Sequence, residues 1–307
     1  MRADKGKWAR LTQGRKRFLY FLYAGAWICF FLYRLFPSEQ VTAYLSDRLA
    51  VAAPGYTAAI GSLKPVFPPA LRAGTVDLMY RRQPVLRIEE VRIAPRLEGI
   101  IKWRPYFSFK GKACGGRFEG RSAVERSGGR REAHLNLTVV GIDLEKVPRL
   151  KELTGHGISG SLEGQAALTT VGPTAETMTA EIVVTGAVID TPAAVMSVRR
   201  LRFSRVAADL ALERGTLLVH QCSFSGPQMD GDIAGTIAVK RPIGASRLAL
   251  TGSARPHAEF LATIQGSQEI PSGLLKIIGL SGFSFRFSGS YDMPAVSLAP
   301  GGTDNRS

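Results

Sequence analysis

The sequence lacks the motifs that mark the common classes of enzyme. It contains no His-Glu-x-x-His, no Gly-x-Ser-x-Gly and no Walker sequence. It has four histidines: His134, His156, His220 and His257. None has a second His at the spacing of metal ligands, and the pair of His220 with Cys222, two residues later, is a weak signal. We therefore predict a protein that is not an enzyme, with no catalytic residues, no metal site and no cofactor.

Two short segments resemble parts of known sites. Asp230-Gly231-Asp232 looks like the start of a calcium loop, but the other ligand positions are missing. A turn between strands explains it better. Asn136-Leu137-Thr138 fits a glycosylation sequon, which matters only in a eukaryotic secretory pathway.

Cysteine is scarce, with three residues in the chain. Cys29 lies in an apolar run, which leaves Cys114 and Cys222. An oxidising compartment would permit one bridge between them. Two cysteines so far apart in the sequence give no framework, so the sequence leaves the disulfide open.

Long apolar runs are also scarce, and the single example spans residues 18–36. It follows a strongly basic start in which one acid, Asp4, faces seven cations. These are Arg2, Lys5, Lys7, Arg10, Arg15, Lys16 and Arg17. Because a cationic flank stays on the cytoplasmic side, the remainder of the chain is expected across the membrane.

Two alternatives compete with a transmembrane helix at this run. Phe18 to Tyr33 is free of charge and spans roughly 24 Å as a helix, short of a hydrocarbon core of about 30 Å, although Arg34 can snorkel outward. A buried core helix would need a polar face, which is missing. A cleaved signal peptide would need a small-x-small site directly after the run, where residues 36–39 read Phe-Pro-Ser-Glu. We predict an uncleaved transmembrane helix over 18–36, preceded by a cytoplasmic tail over 1–17.

The net charge of +15 and the pI near 10.1 bear on partners. Nucleic acid is a weak interpretation, because the folded part is expected outside the cytoplasm. An affinity for anionic membrane surfaces and an arginine-rich composition without a specific partner both stay open.

A short amphipathic helix is predicted over 37–54. Ser38 can cap it after Pro37, and Pro54-Gly55 ends it. Its apolar stripe consists of Val41, Leu45, Leu49 and Ala52.

From residue 55 to 298 the sequence predicts a periplasmic, mainly β domain. Apolar and polar residues alternate, as in Val85-Leu86-Arg87-Ile88 and Phe283-Ser284-Phe285-Arg286-Phe287, which is the period of half-buried strands. Two stretches look helical, Leu144 to Thr154 and about Ala258 to Gln265. Residues 299–307 are predicted to be a disordered tail.

An internal repeat is visible in this domain, with copies at about 85–170 and 195–290. The first copy contains Phe109-x-Gly111 followed by Gly116-x-Phe118-x-Gly120. The second copy contains the same spacing, as Phe224-x-Gly226 followed by Gly231-x-Ile233-x-Gly235. Leu86-x-Ile88-x-x-Val91-x-Ile93 matches Met196-x-Val198-x-x-Leu201-x-Phe203, and the glycine core recurs at Gly160-x-Leu162-x-Gly164.

The glycines of the repeat share one face with large apolar residues. A glycine inside a strand marks a bend, a bulge or the close approach of another group. We therefore predict a repeated, strongly curved antiparallel β-sheet that forms a groove and does not close into a sandwich. The alternative is that these glycines are ordinary hairpin residues.

Several segments resemble the type II secretion system protein N (GspN) family. They are Leu35-Phe36-Pro37-Ser38-Glu39, Ala53-Pro54-Gly55-Tyr56, Ile60-Gly61-Ser62-Leu63-Lys64-Pro65 with Phe67-Pro68-Pro69, Gly141-Ile142-Asp143-Leu144 through Leu162-Glu163-Gly164, and Phe287-Ser288-Gly289-Ser290. The Ile-Asp-Leu, helix, Ser-Gly-x-Leu-x-Gly string also looks like the wider AsmA and TamB class of inner-membrane-anchored proteins with β-rich grooves.

The resemblance implies a single-pass protein of the bacterial inner membrane, with its bulk in the periplasm, accessory to type II protein secretion. It supplies no catalytic residues. The alternative that it implies is an AsmA-like groove that binds or moves phospholipid. Expected partners are the inner membrane, other secretion-system or envelope proteins and, for the alternative, phospholipid; nucleic acid is not expected.

Overall fold

The structure is a computed structural model that describes most of the chain after residue 18. The described residues are 19–20, 23–25, 27, 30–31, 33–52, 55–66, 70–80, 83–96, 106–127, 130–148, 150–171, 174–195, 198–240, 243–265 and 282–300.

The described chain is mainly β and forms one long antiparallel sheet of 15 strands, β1 to β15. The strands are Tyr56–Ile60, Leu63–Val66, Ala70–Tyr80, Gln83–Pro95, Tyr106–Ala113, Gly116–Ser127, Arg130–Asp143, Gly157–Val171, Thr174–Val195, Val198–Glu213, Thr216–Ser225, Met229–Ala238, Arg247–Pro256, Phe283–Ser290 and Pro294–Pro300. From β3 onward each strand pairs with the next one along the chain, and the sheet does not close on itself. Strand β15 extends two residues into the predicted disordered tail.

The first edge of the sheet is one line of backbone divided into two strands. Both β1 and β2 pair with β3, and Gly61-Ser62 separates them. The Gly61 amide still donates to the Thr75 carbonyl. Helix α1, Ser38–Ala52, lies within the predicted amphipathic segment and lines this edge, where the Ser46 hydroxyl donates to the carbonyl of Ala58.

Helical connections recur at the same place in the strand order. A 3₁₀ turn at Leu144–Lys146 and helix α2, Leu150–Thr154, stand between β7 and β8, within the predicted helical stretch. Helix α3, Ala258–Gln265, stands between β13 and β14, at the second predicted stretch. Counted from β4 and from β10, the connection with an α-helix follows the fourth strand of each series of six; a separate 3₁₀ turn at Ile243–Ala245 stands between β12 and β13.

The pairing within the two series differs from what the sequence motif suggests. Phe109 lies opposite Gly120, whereas its counterpart Phe224 lies opposite Gly231 and not Gly235. The cause is the connection between strands. The β5–β6 turn consists of Cys114 and Gly115, both with positive φ, while residues 226–228 join β11 to β12.

Many of the repeat glycines lie inside strands and not in hairpin turns, contrary to the alternative above. Gly141 and Gly160 have positive φ and lie at shifts of register, Gly141 in a bulge of β7 and Gly160 of β8 opposite a bulge of β9. Such β-bulges bend a strand and increase its twist. At Gly120 a side chain would collide with the Phe109 ring and the Asn136 carbonyl, so close approach requires glycine there.

The predicted transmembrane segment over 18–36 is described only in part. Its described residues from 19 to 34 are helical, and the others lie outside the described residues, as does the predicted tail over 1–17. Among the residues that are described, no helix is long and apolar enough to cross a membrane.

Candidate functional site: an apolar sheet face

One face of the sheet carries an uninterrupted row of apolar residues and glycines across fourteen strands. Each member lies directly opposite the next, from β2 to β15. The row is Pro65, Leu71, Ile93, Phe109, Gly120, Leu137, Ala166, Ala180, Leu210, Val219, Gly235, Leu250, Phe287 and Val296. Because direct partners in a sheet point to the same side, these side chains form one continuous surface.

Neighbouring rows on the same side have the same chemistry. The row from β5 to β15 is Gly111, Phe118, Val139, Gly164, Ile182, Ala208, Cys222, Ile233, Gly252, Phe285 and Leu298. The row from β7 to β14 is Ile142, Leu162, Val184, Val206, Phe224, Gly231, Ala254 and Phe283. We call this side of the sheet the apolar face.

The opposite side, the polar face, alternates with it along each strand. Its row from β5 to β11 is Lys110, Glu119, Thr138, Gln165, Glu181, Asp209 and Gln221. The polar face thus has the composition of a solvated surface, and the contrast between the two faces is maintained over most of the sheet.

The apolar face is covered at one end. Phe260 and Leu261 of α3 are buried there together with Phe203, Met229 and Phe283. Seven of the fourteen buried apolar residues in the described chain belong to this cluster. The C-terminal half of the apolar face therefore contains the main hydrophobic core.

The N-terminal half of the apolar face is far less covered. Phe109, Leu137 and Ala166 are only half-buried. Ile93 and Phe107 retain 36% and 40% of their exposure. In globular domains a sheet normally buries one face against another layer. The described elements provide no such layer over Ile93, Phe109, Leu137 and Ala166, whereas Leu63 and Ala73, nearer to α1, are buried.

Aromatic rings cover several glycines on the apolar face. The ring of Phe224 lies against Gly231, and that of Phe285 lies against Gly252, so a Cβ at either glycine would collide with the ring. Each pair joins adjacent strands. The rings are thereby held flat along the sheet, which gives a thin, smooth apolar surface.

Polar side chains with defined partners lie on the other face and support the fold. His257 Nε2 lies 3.0 Å from Asp230 Oδ2, and the Gly226 amide donates to Asp230 Oδ1. The hydrogen bond to Asp230 raises the pKa of His257, and the same bond lowers the pKa of Asp230. Because His257 directly precedes α3 and Asp230 lies on β12, the pair fastens this helix to the start of β12.

The remaining residues singled out in the sequence are dispersed. His134 contacts the Thr169 hydroxyl on the neighbouring strand. Asp230 and Asp232 lie on β12, where Asp232 accepts from Ser253, so both have partners within the protein. Among the described residues, no three His, Cys, Asp or Glu side chains come close enough to hold a metal ion.

The two cysteines outside the apolar run are free thiols. Cys114 stands in the β5–β6 turn, and Cys222 lies on β11, five strands further along the sheet. Burial raises the pKa of both thiols, with Asp143 adding to the effect at Cys114.

The sequence indicated alternation within single strands but not the alignment of apolar positions between strands. That alignment depends on register, which bulges in β4, β7, β9 and β11 adjust. Comparison of the chain with protein-family models, with curated proteins and with solved structures gave no match.

Proposed function

We propose that the protein is a non-enzymatic envelope protein whose apolar face binds the acyl chains of phospholipid. The observation that carries this proposal is the continuous apolar row from β2 to β15, of which the part from β4 to β8 has no described covering layer. An apolar surface of this extent is favourable to cover and unfavourable to leave in water. Acyl chains need only apolar contact, so a surface of Leu, Val, Phe and Gly can bind them.

We further infer that the sheet is curved into a groove around this face, as in AsmA-like proteins. The bulges in β4, β7, β9 and β11 support the inference, because each one bends its strand. A groove would shield a bound chain from water on more than one side.

The proposed location is the inner membrane, with one predicted span over residues 18–36, a cytoplasmic N-terminus and the sheet in the periplasm. Two features of the sequence support it, the apolar run and the seven cations before it. A tethered groove would take lipid from, or deliver it to, the membrane that holds it.

A photo-crosslinking pair tests lipid binding directly. Leu137 lies on the apolar face and its neighbour Thr138 on the polar face of the same strand. A benzophenone amino acid at position 137 of the full-length protein in bacterial membranes should yield phospholipid adducts by mass spectrometry, and one at 138 should yield few. Equal labelling at both positions, or none at 137, would count against the proposal.

A second proposal, supported by the family resemblance alone, is a role accessory to type II protein secretion in assembly or scaffolding. Deletion of the gene should then lower secretion of the machine's substrates. Complementation separates the two proposals. Leu137→Glu puts a charge on the apolar face, whereas Thr138→Glu puts it on the polar face. If secretion depends on lipid binding, Leu137→Glu should fail to restore it and Thr138→Glu should succeed. If secretion does not depend on lipid binding, both variants should restore it equally. Unchanged secretion in the deletion strain would exclude the secretion role.

A further inference from the structure

Four cations stand directly opposite one another on adjacent strands of the polar face. Lys64 of β2 pairs with Arg72 of β3, Arg72 with Arg92 of β4, and Arg92 with Lys110 of β5. We call these four residues the cationic ladder. At a strand spacing of about 4.8 Å, the ladder is roughly 14 Å long.

The ladder is an unfavourable arrangement for the isolated protein. Like charges directly opposite each other in a sheet destabilise it. Lys110 faces Glu119 on β6, yet no member of the ladder forms an ion pair with a described residue. Lys64, Arg72 and Lys110 are exposed, and Arg92 is half-buried.

A depression next to the ladder continues the positive charge. It has a volume of about 580 Å³ and is lined by Arg92, Lys110, Arg121 and Arg96, with Glu119 as the one acid. Ser108, Asn136 and Thr138 add hydroxyl and amide groups to its wall. Guanidinium, ammonium and hydroxyl donors around an open depression are suited to phosphate oxygens.

The sign of the charge changes along the sheet. The row that begins with the ladder reaches neutral Thr138 and Gln165 and then places Glu181 of β9 opposite Asp209 of β10. The positive charge in this row is therefore confined to its N-terminal end, and a polyanionic surface would approach that end.

The position of α1 places the ladder near the end of the predicted span. Helix α1 joins β1 through residues 53–55 and its Ser46 bonds Ala58, so the helix runs back along the edge strands. Fifteen helical residues extend about 22 Å, and the backbone from Tyr56 to Lys64 extends about 26 Å. The N-terminal end of α1, at Ser38 and two residues after the end of the predicted span, thus lies close to β2 and Lys64.

We propose that the cationic ladder binds the phosphate groups of anionic phospholipids at the surface of the membrane that anchors the chain. This site is distinct from the apolar face, because the two lie on opposite sides of the sheet. The proposal rests on the predicted span and not on acyl-chain binding. A lipid-free apolar face would leave it intact.

The test uses the full-length protein in nanodiscs of phosphatidylcholine alone or with phosphatidylglycerol added. Amide hydrogen exchange in β2 to β5 should slow when phosphatidylglycerol is present. The effect should reach up to about fivefold for each cation that contacts the surface. It should disappear at high salt, because exposed charges are screened within a few ångströms there.

Two variants of equal charge change decide whether the ladder is responsible. K64Q/R72Q/R92Q/K110Q should abolish the slowing by phosphatidylglycerol. R205Q/R247Q/R255Q/R286Q removes four exposed arginines from β10, β13 and β14 and should retain it. Exchange in phosphatidylcholine discs reports whether each variant is folded.

Three results would overturn the proposal. One is equal exchange of the native protein in both kinds of nanodisc, and another is loss of the effect in both variants. The third is equal slowing by inorganic phosphate or by an oligonucleotide in phosphatidylcholine discs, because the ladder would then be a general anion site and not a membrane contact.

Discussion

At the scale of single residues, the packing of an aromatic ring against a glycine explains why Phe and Gly occur together in the repeated motif. Phe109 and Gly120 are direct partners on β5 and β6, and the ring occupies the volume that a side chain at position 120 would need. Glycine weakens a strand on its own. The ring compensates by covering the exposed backbone, so the two residues form one unit.

Gly120→Ala tests this unit. The added methyl group must displace the Phe109 ring and crowd the Asn136 carbonyl, so we expect a loss of about 1–3 kcal/mol in the free energy of unfolding. Glu119→Ala, on the same strand but the polar face, should change it by no more than about 0.5 kcal/mol. Chemical denaturation measures both. If the double variant Phe109→Ala/Gly120→Ala loses as much free energy of unfolding as the two single variants together, the two residues do not act as a unit.

The His257–Asp230 pair predicts a pH dependence for the docking of α3. The pKa of His257 is raised, so its contribution is complete below about 6.5, the value in the unfolded chain, and is lost as the pH rises through the folded-state pKa. The pKa of Asp230 is lowered, so its contribution is present above about 3.9 and is lost as the pH falls through the folded-state pKa. The attachment should be strongest between these limits.

Hydrogen exchange of the α3 amides measures this attachment. After correction for the intrinsic rate, exchange should accelerate as the pH rises from 6 to 9 in the native protein. His257→Gln should remove the dependence, whereas Arg286→Gln, at an exposed residue of β14, should preserve it. An unchanged pH profile in His257→Gln would show that other groups control the helix.

At the scale of elements, the two edges of the sheet are protected in different ways. Helix α1 lines the β1–β2 edge, and Gly61-Ser62 breaks that edge into two short strands. The other edge, β15, begins and ends with proline. Proline lacks an amide donor, and edge prolines discourage pairing with another sheet. Val296, between the two prolines, retains 52% of its exposure.

Pro294→Val/Pro300→Val should therefore promote self-association through β15. The double variant restores two amide donors and lengthens an apolar edge, so its oligomeric fraction in detergent should rise with concentration in sedimentation experiments. Adding Val296→Lys should reverse this self-association, because a charged side chain on an edge strand opposes pairing with another sheet. A variant that remains at the native protein's oligomeric state would indicate that the edge is protected by something other than proline.

The elements also show what the sequence can and cannot predict. Alternation as in Phe283-Ser284-Phe285 predicted strands, and the glycine parity predicted that Gly120 and Phe118 share a face. The structure agrees in both cases. The register of the second copy was not predictable from the motif, because pairing of Phe224 with Gly231 depends on the length of the β11–β12 connection. Bulges such as that of β9 opposite Gly160 likewise follow from contacts between strands.

At the scale of the whole molecule, burial is uneven along a sheet whose strands contact mainly their neighbours. The cluster of Phe203, Met229, Phe260, Leu261 and Phe283 joins β10, β12, α3 and β14. No cluster of comparable size is found in the described part of β3 to β7. In proteins built from units that contact only neighbours, stability is approximately a sum of local terms.

We therefore expect the protein to unfold in parts. With increasing urea, amides of β3 to β7 should exchange at lower denaturant concentration than those of β10 to β14, because fewer apolar contacts must be broken. Phe260→Ala should bring the two transitions together by lowering the second, since it removes a buried ring from the core of the C-terminal half. Phe107→Ala, at an exposed ring on β5, should leave the second transition in place. A single transition shared by all strands of the native protein would mean that the sheet behaves as one cooperative unit despite the uneven burial.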